Sequence, residues 1–476
     1  MSLPIIIQGG MGVGVSNWTL ARAVSQQGQL GVVSGTLLAV VLSRRLQLGD
    51  PAGDMRRALA HFPIPAMADR VLNDWFIPGG KSADKPFKSV EMPTLTASPA
   101  FNELTVIANF VEVFLAKANH AGVVGINLLE KIQLPTLPSL YGAMLAGVDY
   151  VLMGAGIPRA IPGVLDQFSR GEAAKLKIDV TAPASSEQAP VEAFSAFDPA
   201  EFFKAPVPAL KRPRFLAIVS SATLAMTLAR KSSGQVDGFV VETEAAGGHN
   251  APPRGPLQLT AKGEPLYGER DLPDVAKIRA LGLPFWIAGA HATPERLAEA
   301  QQQGAVGVQI GTAFAFCEES GMGPQLKQEV GELVRFGLTQ IFTDPFASPT
   351  GFPFKVLNHP KTLSNPSCYE DRPRICDLGY LREVYTQPDG AIGYRCGGEP
   401  VGNFLRKGGT EDATTNRKCL CNCLLATVGL GQTYKNHVEP PMITAGHDVA
   451  HLARFFPAEG SSYHAADVIR LTLGTK

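Results

Sequence analysis

Eight short apolar runs, most of them followed by an amphipathic stretch, constrain this chain more than any other feature. They are Pro4–Gln8, Gly31–Ser34, Val123–Leu128, Tyr150–Met153, Phe215–Ser220, Gly238–Glu242, Phe285–Ala288 and Gly307–Ile310. Runs of Val, Ile and Leu that are apolar on both faces suit parallel strands covered by helices. Plausible helices follow at Trp18–Gln26, Ala222–Lys231 and Pro294–Gln303, the last with Thr293 as N-cap and Pro294 at its first position. Eight strands in an alternating pattern with helices favour an α/β fold closed as a (β/α)8 TIM barrel over an open sheet.

Two spacings are too long for ordinary loops and predict structured insertions, near residues 37–120 and 175–213. The first contains a helical pattern at Ala66–Phe76 and a Gly/Lys/Pro-rich turn at Pro78–Pro86, and the second has an Ala/Pro/Ser-rich part, Ala182–Pro213, expected to run over the surface. The rhythm stops after Pro349. The expected division is a barrel over residues 1–349 and a cysteine-rich C-terminal extension over 350–476, ending in a helical stretch at Ala465–Leu473.

Composition narrows the function classes. Lys plus Arg equals Asp plus Glu at 43 each in 476 residues, so no basic field favours nucleic acid or an anionic membrane as partner. The N-terminus has no basic region followed by an apolar run, and the apolar stretches read as short, so a cytoplasmic protein without a membrane span is expected.

Three motifs fall at strand ends. Gln8-Gly9-Gly10-Met11-Gly12-Val13-Gly14 closes the first strand. It lacks the lysine of a P-loop and the third glycine of a dinucleotide fingerprint, which leaves a loop facing a planar ligand or a plain tight turn. Ala288-Gly289-Ala290-His291 follows strand seven and Gln309-Ile310-Gly311-Thr312 closes strand eight. Loops at these two strands commonly build a phosphate site in such barrels, and the small residues Gly289, Ala290, Gly311 and Thr312 leave amides uncovered. Glu242-Thr243-Glu244-Ala245-Ala246-Gly247-Gly248-His249-Asn250 follows strand six, placing His249 where catalytic groups gather. Downstream, Pro252-Pro253-Arg254-Gly255 is a stiff loop that offers Arg254 to a substrate.

The segments Pro4–Ser16, Asn127, Ala246–His249, Ala288–Gly289 and Gly304–Thr312 together resemble the nitronate monooxygenase (2-nitropropane dioxygenase) flavoproteins, relatives of the FMN-dependent enoyl-acyl-carrier-protein reductases. The resemblance spans roughly residues 4–320, the insertions excepted. It implies an FMN cofactor contacted by Gly10, Met11, Asn127, Gly247, Gly248, Gly289, Ala290, Gly311 and Thr312, with His249 as acid/base. It also implies oxidation of nitroalkanes or nitronates. The alternative is NAD(P)H-dependent reduction of an enoyl thioester carried by an acyl-carrier protein; from another class stands a non-catalytic barrel binding a phosphorylated metabolite. The sequence departs from the family's pattern at Ala245, where a glutamate is usual, and at Thr243, where a glycine is common.

Cys419, Cys421 and Cys423 form a C-x-C-x-C run, with Cys368, Cys376 and Cys396 nearby. Free or structural thiols, a zinc or iron–sulfur site, and a redox disulfide are the readings open for them. The tail as a whole reads either as a lid over the barrel mouth or as a dimerisation module, a homodimer being one expected assembly.

Overall fold

The computed structural model describes residues 3–182, 191–204, 206–434 and 437–475. Its centre is an eight-stranded, all-parallel sheet: β1 (Ile6–Gln8), β2 (Gly31–Ser34), β3 (Val124–Leu129), β4 (Tyr150–Gly154), β5 (Arg214–Val219), β6 (Gly238–Glu242), β7 (Phe285–Ala288) and β8 (Gly307–Ile310). The order around the sheet is β1-β8-β7-β6-β5-β4-β3-β2. The Leu30 amide donates to the Ile6 carbonyl at 3.0 Å and the Gln8 amide to the Leu30 carbonyl at 2.9 Å, closing β2 onto β1. The expected (β/α)8 barrel is therefore what forms. Alternation along each strand sorts the apolar side chains. Ile7, Val32, Leu152, Leu216, Val240 and Trp286 fill the barrel, whereas Ile6, Val33, Val151, Ala217 and Val241 face the surrounding helices.

Both long spacings hold structure. Between β2 and β3 lie the helices Leu38–Gln47, Asp54–Leu59, Pro65–Trp75 and Pro99–Lys117. The last was not foreseen. Thirteen of its 19 residues are buried, because it packs against helices Trp18–Gln26, Leu38–Gln47 and Thr136–Leu145 together. A helix covered on several sides loses the one-sided periodicity by which helices are recognised. Among the described residues it is the one helix long and apolar enough to cross a membrane, and 72% of the qualifying window is buried within the protein. Between β4 and β5, Ala174–Ile178 pairs antiparallel with Ala193–Phe197, and the helix Pro199–Phe203 follows. Rather than only running over the surface, this segment sets Phe197, Phe202 and Phe203 around Tyr141, with ring centroids 5.0–6.3 Å apart. Residues 183–190 and 205 of the Ala182–Pro213 stretch lie outside the described residues.

The tail is threaded back into the barrel rather than appended to it. Its final helix, Ala465–Leu473, packs against Trp18–Gln26 and Pro294–Gln302, the helices that follow β1 and β7. That is the place of the eighth barrel helix, so residues 316–464 form an excursion between β8 and the helix that completes its unit. A boundary at 349/350 thus cuts through one packing unit. Within the excursion, β9 (Ile341–Asp344) and β10 (Phe354–Leu357) pair antiparallel, and β10 takes Gly248–His249 as its other neighbour. The tail is also tied together by Arg372 and Glu439, a buried pair 2.6 Å apart.

Candidate active site

The C-terminal ends of the strands, the end where barrel enzymes place their chemistry, surround one cavity. It holds about 1150 Å³ of atom-free space counted to its open mouth. Gly10, Met11, Asn127, Gly247, Gly248, His249, Gly289, Ala290, Gly311 and Thr312 all line it. Every residue proposed for the flavin or for acid/base work is thus brought to one place from five strand ends.

The loop after β6 is held from the tail side. Lys355, on β10, donates through Nζ to the Glu244 carbonyl, and Nζ lies 2.7 Å from His447 Nε2. The His447 amide donates to the Ala245 carbonyl at 3.0 Å, and Asn250 Nδ2 donates to the Ala246 carbonyl at 3.0 Å. Three successive carbonyls are thereby drawn to protein donors. A Cβ at Gly247 would come within 2.6 Å of the Ala445 backbone, so no other residue allows the two loops this close. Burial with no carboxylate within ion-pair distance among the described residues brings the Lys355 ammonium down to about 8.

His249 is gripped by two aromatic edges, Phe354 with centroids 4.8 Å away and Phe352 at 6.3 Å. Its Nε2 lies 2.8 Å from Ser348 Oγ, and Nδ1 has no protein partner among the described residues. Burial in the cavity wall lowers the imidazole to about 4, so the ring is neutral at physiological pH.

Several wall residues were not singled out from sequence. Glu242 ends β6 and faces the cavity with no hydrogen-bond or ion-pair partner among the described residues, and burial pushes its carboxyl up to about 7. His291 lines the wall immediately after Gly289-Ala290, the last residue of the quoted motif, whose glycine and alanine alone drew attention. Phe354, Leu424, Thr444 and Asp448 come from the tail, and no local signal in the sequence marks them. Asp448 changes the role of Thr312. The Thr312 hydroxyl accepts from the Gly446 amide at 2.9 Å and donates to the Asp448 carboxyl, so only its backbone remains for an anion.

The shifted carboxyl gives a pH signature. Because Glu242 holds its proton in the fold up to about 7, against 4.5 normally, its full contribution to stability exists below 4.5 and is lost as pH rises through 7. Glu242→Gln is therefore expected to gain stability over the native protein between pH 5 and 8, by at most about 3 kcal/mol. Urea unfolding of FMN-free protein at the two pH values checks this; an equal difference at both would contradict it.

Two expectations need correction. Arg254 is exposed and does not line the cavity; its loop turns outward, with the Arg254 amide bonded to Asp271 Oδ1 at 2.8 Å. The cysteine run finds no support as a zinc or iron–sulfur site. No group of three or more His, Cys, Asp or Glu side chains fit for a metal occurs among the described residues. Cys419 caps the helix Leu420–Thr427, and Cys421 and Cys423, two residues apart on it, point about 200° apart. Burial pushes Cys419 up to about 12 and the other two well above the usual thiol range, against the thiolate a metal needs. This helix instead presents Leu424 to the cavity.

The cavity fits FMN on its own chemistry. Asn127 Oδ1 and Gln309 Oε1 are buried acceptors without a protein partner, in residues that line the cavity. A Cβ at Gly248 would meet nothing within 4 Å, and one at Gly311 only the Met11 side chain at 3.8 Å, so backbone lies open to the space. Ala290 holds φ at 59°, a left-handed conformation costing an alanine about 1–2 kcal/mol, beside Gly289 at φ 103°.

Residues 167–343 match the family model described as nitronate monooxygenase. No curated protein matches the chain. Among solved structures, FabK from Thermotoga maritima is 15% identical with a TM-score of 0.48, covering 99% of this chain and 92% of that one. A nitroalkane oxidase from Streptomyces ansochromogenes is 13% identical with a TM-score of 0.44, covering 99% and 96%. The enoyl reductase domain of MlnA from Bacillus amyloliquefaciens is 13% identical with a TM-score of 0.39, covering 77% and 66%. The family match runs across β5 to β8, the strands that carry the glycine–histidine loop and the two small-residue loops, and over those residues the chain is similar to the nitronate monooxygenases.

Proposed function

We propose that the protein oxidises nitronates and their parent nitroalkanes, with FMN lying across the barrel mouth. The observation that carries this reading is the convergence of three glycine-bearing strand-end loops and His249 on one cavity. Gly289, Ala290, Gly311 and the Thr312 backbone would hold the phosphate end, and Asn127, Gln309 and Glu242 the polar edge of the ring. When bound, the flavin supplies the redox chemistry, taking two electrons from the substrate. The protein's own share is to place the substrate carbon, to exclude water and to move one proton. His249 stands ready for that proton because its ring is neutral and Nδ1 is unpartnered. Phe354 and Leu424 of the tail narrow the remaining space to a small apolar substrate.

A second reading is reduction of an enoyl thioester, with an acyl-carrier protein as partner. It requires the other tautomer, with the ring's one proton on the cavity-facing Nδ1 and Ser348 Oγ donating to Nε2.

A visible spectrum and anaerobic titration test both. Purified protein supplied with FMN is expected to retain it, and anaerobic ethyl nitronate to bleach the flavin absorption. Bleaching by NADPH or NADH but not by ethyl nitronate would favour the enoyl reading. A protein that takes up no FMN would overturn both.

A further inference from the structure

The unpartnered Nδ1 of His249 raises the question of where its proton goes, because a buried imidazole that accepts one and keeps it becomes a cation in a poorly solvated wall. The other ring nitrogen answers it. Nε2 lies 2.8 Å from Ser348 Oγ, and Ser348 Oγ lies 2.7 Å from Thr350 Oγ1. Ser348 is fully buried, whereas Thr350 is half-buried and open to solvent. The Thr350 amide also donates to Ser348 Oγ at 3.3 Å. A serine oxygen that accepts from an imidazole N–H and an amide has its single proton free to donate onward to Thr350.

The turn that carries these hydroxyls is anchored from the tail. Asp344 Oδ1 accepts from the amides of Phe346 and Ala347 at 2.9 Å each, and Lys418 Nζ bonds Asp344 Oδ2 at 2.6 Å. Arg417 Nη1 donates to the Ser348 carbonyl at 2.5 Å and the Phe346 carbonyl at 2.8 Å. Two basic side chains are spent on fixing a short turn whose side chains point back at His249.

We propose that Ser348 and Thr350 form a hydroxyl relay that carries a proton between His249 and solvent. The proposal rests on His249 being the acid/base residue. With a nitroalkane, the substrate C–H bond breaks, its electron pair stays on the substrate as the nitronate, and the proton bonds to Nδ1. The Nε2 proton passes to Ser348 Oγ, the Ser348 proton to Thr350 Oγ1, and the Thr350 proton to water. One proton enters the chain and one leaves, and the imidazole is neutral before and after, as its low proton affinity in the fold requires. The ring resets in the emptied cavity when Nδ1 releases its proton to water while one proton returns from solvent through Thr350 and Ser348 to Nε2. Ser348 and Thr350 are positioning residues for this proton, since neither touches the substrate.

The relay makes a distinction a mere anchor does not. Nitroethane needs a proton removed; ethyl nitronate has already lost it. Thr350→Val keeps the His249–Ser348 bond and cuts the chain beyond it. In the FMN-loaded enzyme this variant is expected to lower the ratio of kcat/KM for nitroethane to that for ethyl nitronate about 10- to 100-fold, and Thr350→Ser to restore it. Ser348→Ala is expected to lower it at least as far, with rescue by Ser348→Thr. The second readout needs no substrate. In FMN-free protein with 15N-labelled histidine, the wild-type His249 proton is expected on Nε2, and its exchange with water to slow about tenfold in Thr350→Val. Unchanged exchange together with an unchanged substrate ratio in Thr350→Val would overturn the relay and leave Ser348 as an anchor. A wild-type enzyme inert toward both probes would overturn the nitronate reading alone, and the exchange rate would still decide the relay.

Discussion

His249→Ala is expected to leave the protein folded and able to bind FMN while lowering kcat/KM for nitroethane by about two to four orders of magnitude, roughly 3–5 kcal/mol of transition-state stabilisation. FMN uptake should survive because the cradle is mostly backbone. The loop carrying Gly247 and Gly248 is held by Lys355, the His447 amide and Asn250, none of which needs the imidazole. The native enzyme should also show no histidine limb in its pH–rate profile between pH 5 and 8. Its imidazole titrates near 4, so across that range the same neutral form is present. Visible spectra of both proteins and initial rates against pH are the measurements. A variant with native rates would remove His249 from the reaction.

The second large effect concerns the tail. A chain ending at residue 349 is expected neither to unfold cooperatively nor to retain FMN. It lacks Ala465–Leu473, whose Ala465, Val468, Ile469 and Thr472 are buried where the barrel's eighth helix belongs. It also lacks β10, the strand against which Gly248–His249 pairs, and Lys355 within it. Each lost large aliphatic contact costs about 2–5 kcal/mol, and a typical domain's entire stability is only about 5–15 kcal/mol. A gentler probe is Ile469→Ala, expected to cost about 2–4 kcal/mol in urea unfolding. Were the tail a separable extension, the truncated chain would melt as one cooperative unit and bind FMN, and Ile469→Ala would leave the barrel's transition in place.

The legible parts of this protein share a property: their signal is local. Gly31–Ser34, Gly238–Glu242, Phe285–Ala288 and Gly307–Ile310 form strands over the same residues at which their apolar runs stand, because a strand buried on both faces must be apolar throughout. Helix Pro294–Gln302 starts where its cap chemistry puts it, with Thr293 Oγ1 accepting from the Arg296 amide. The glycine loops and His249 were legible because their positions follow directly from strand ends.

What was illegible depends on contacts far apart in the chain. Helix Pro99–Lys117 lacks a polar face because other helices cover it, so its pattern resembled no surface helix. Phe354, Leu424, Thr444 and Asp448 enter the wall only through the excursion's return path, and nothing near them marks a cavity. The cysteine spacing suggested ligands, but a helix turns alternate residues to nearly opposite sides, which is invisible until Leu420–Thr427 is known to be helical. Arg254 read as poised over the site because it follows His249 closely, yet its loop leads outward.

By itself, then, the order of residues determined the barrel, its insertions and the set of strand-end loops, since each follows from periodicity and from which residues tolerate a given backbone. Tertiary structure alone decided that Ala465–Leu473 completes the barrel, that the tail walls the cavity, and that His249 faces Ser348 across 99 residues of sequence. The physical reason is that burial and hydrogen-bond partnership are properties of the packed neighbourhood. They shift Glu242 up and His249 down, and they spend the Thr312 hydroxyl on Asp448, without any trace in the residues on either side.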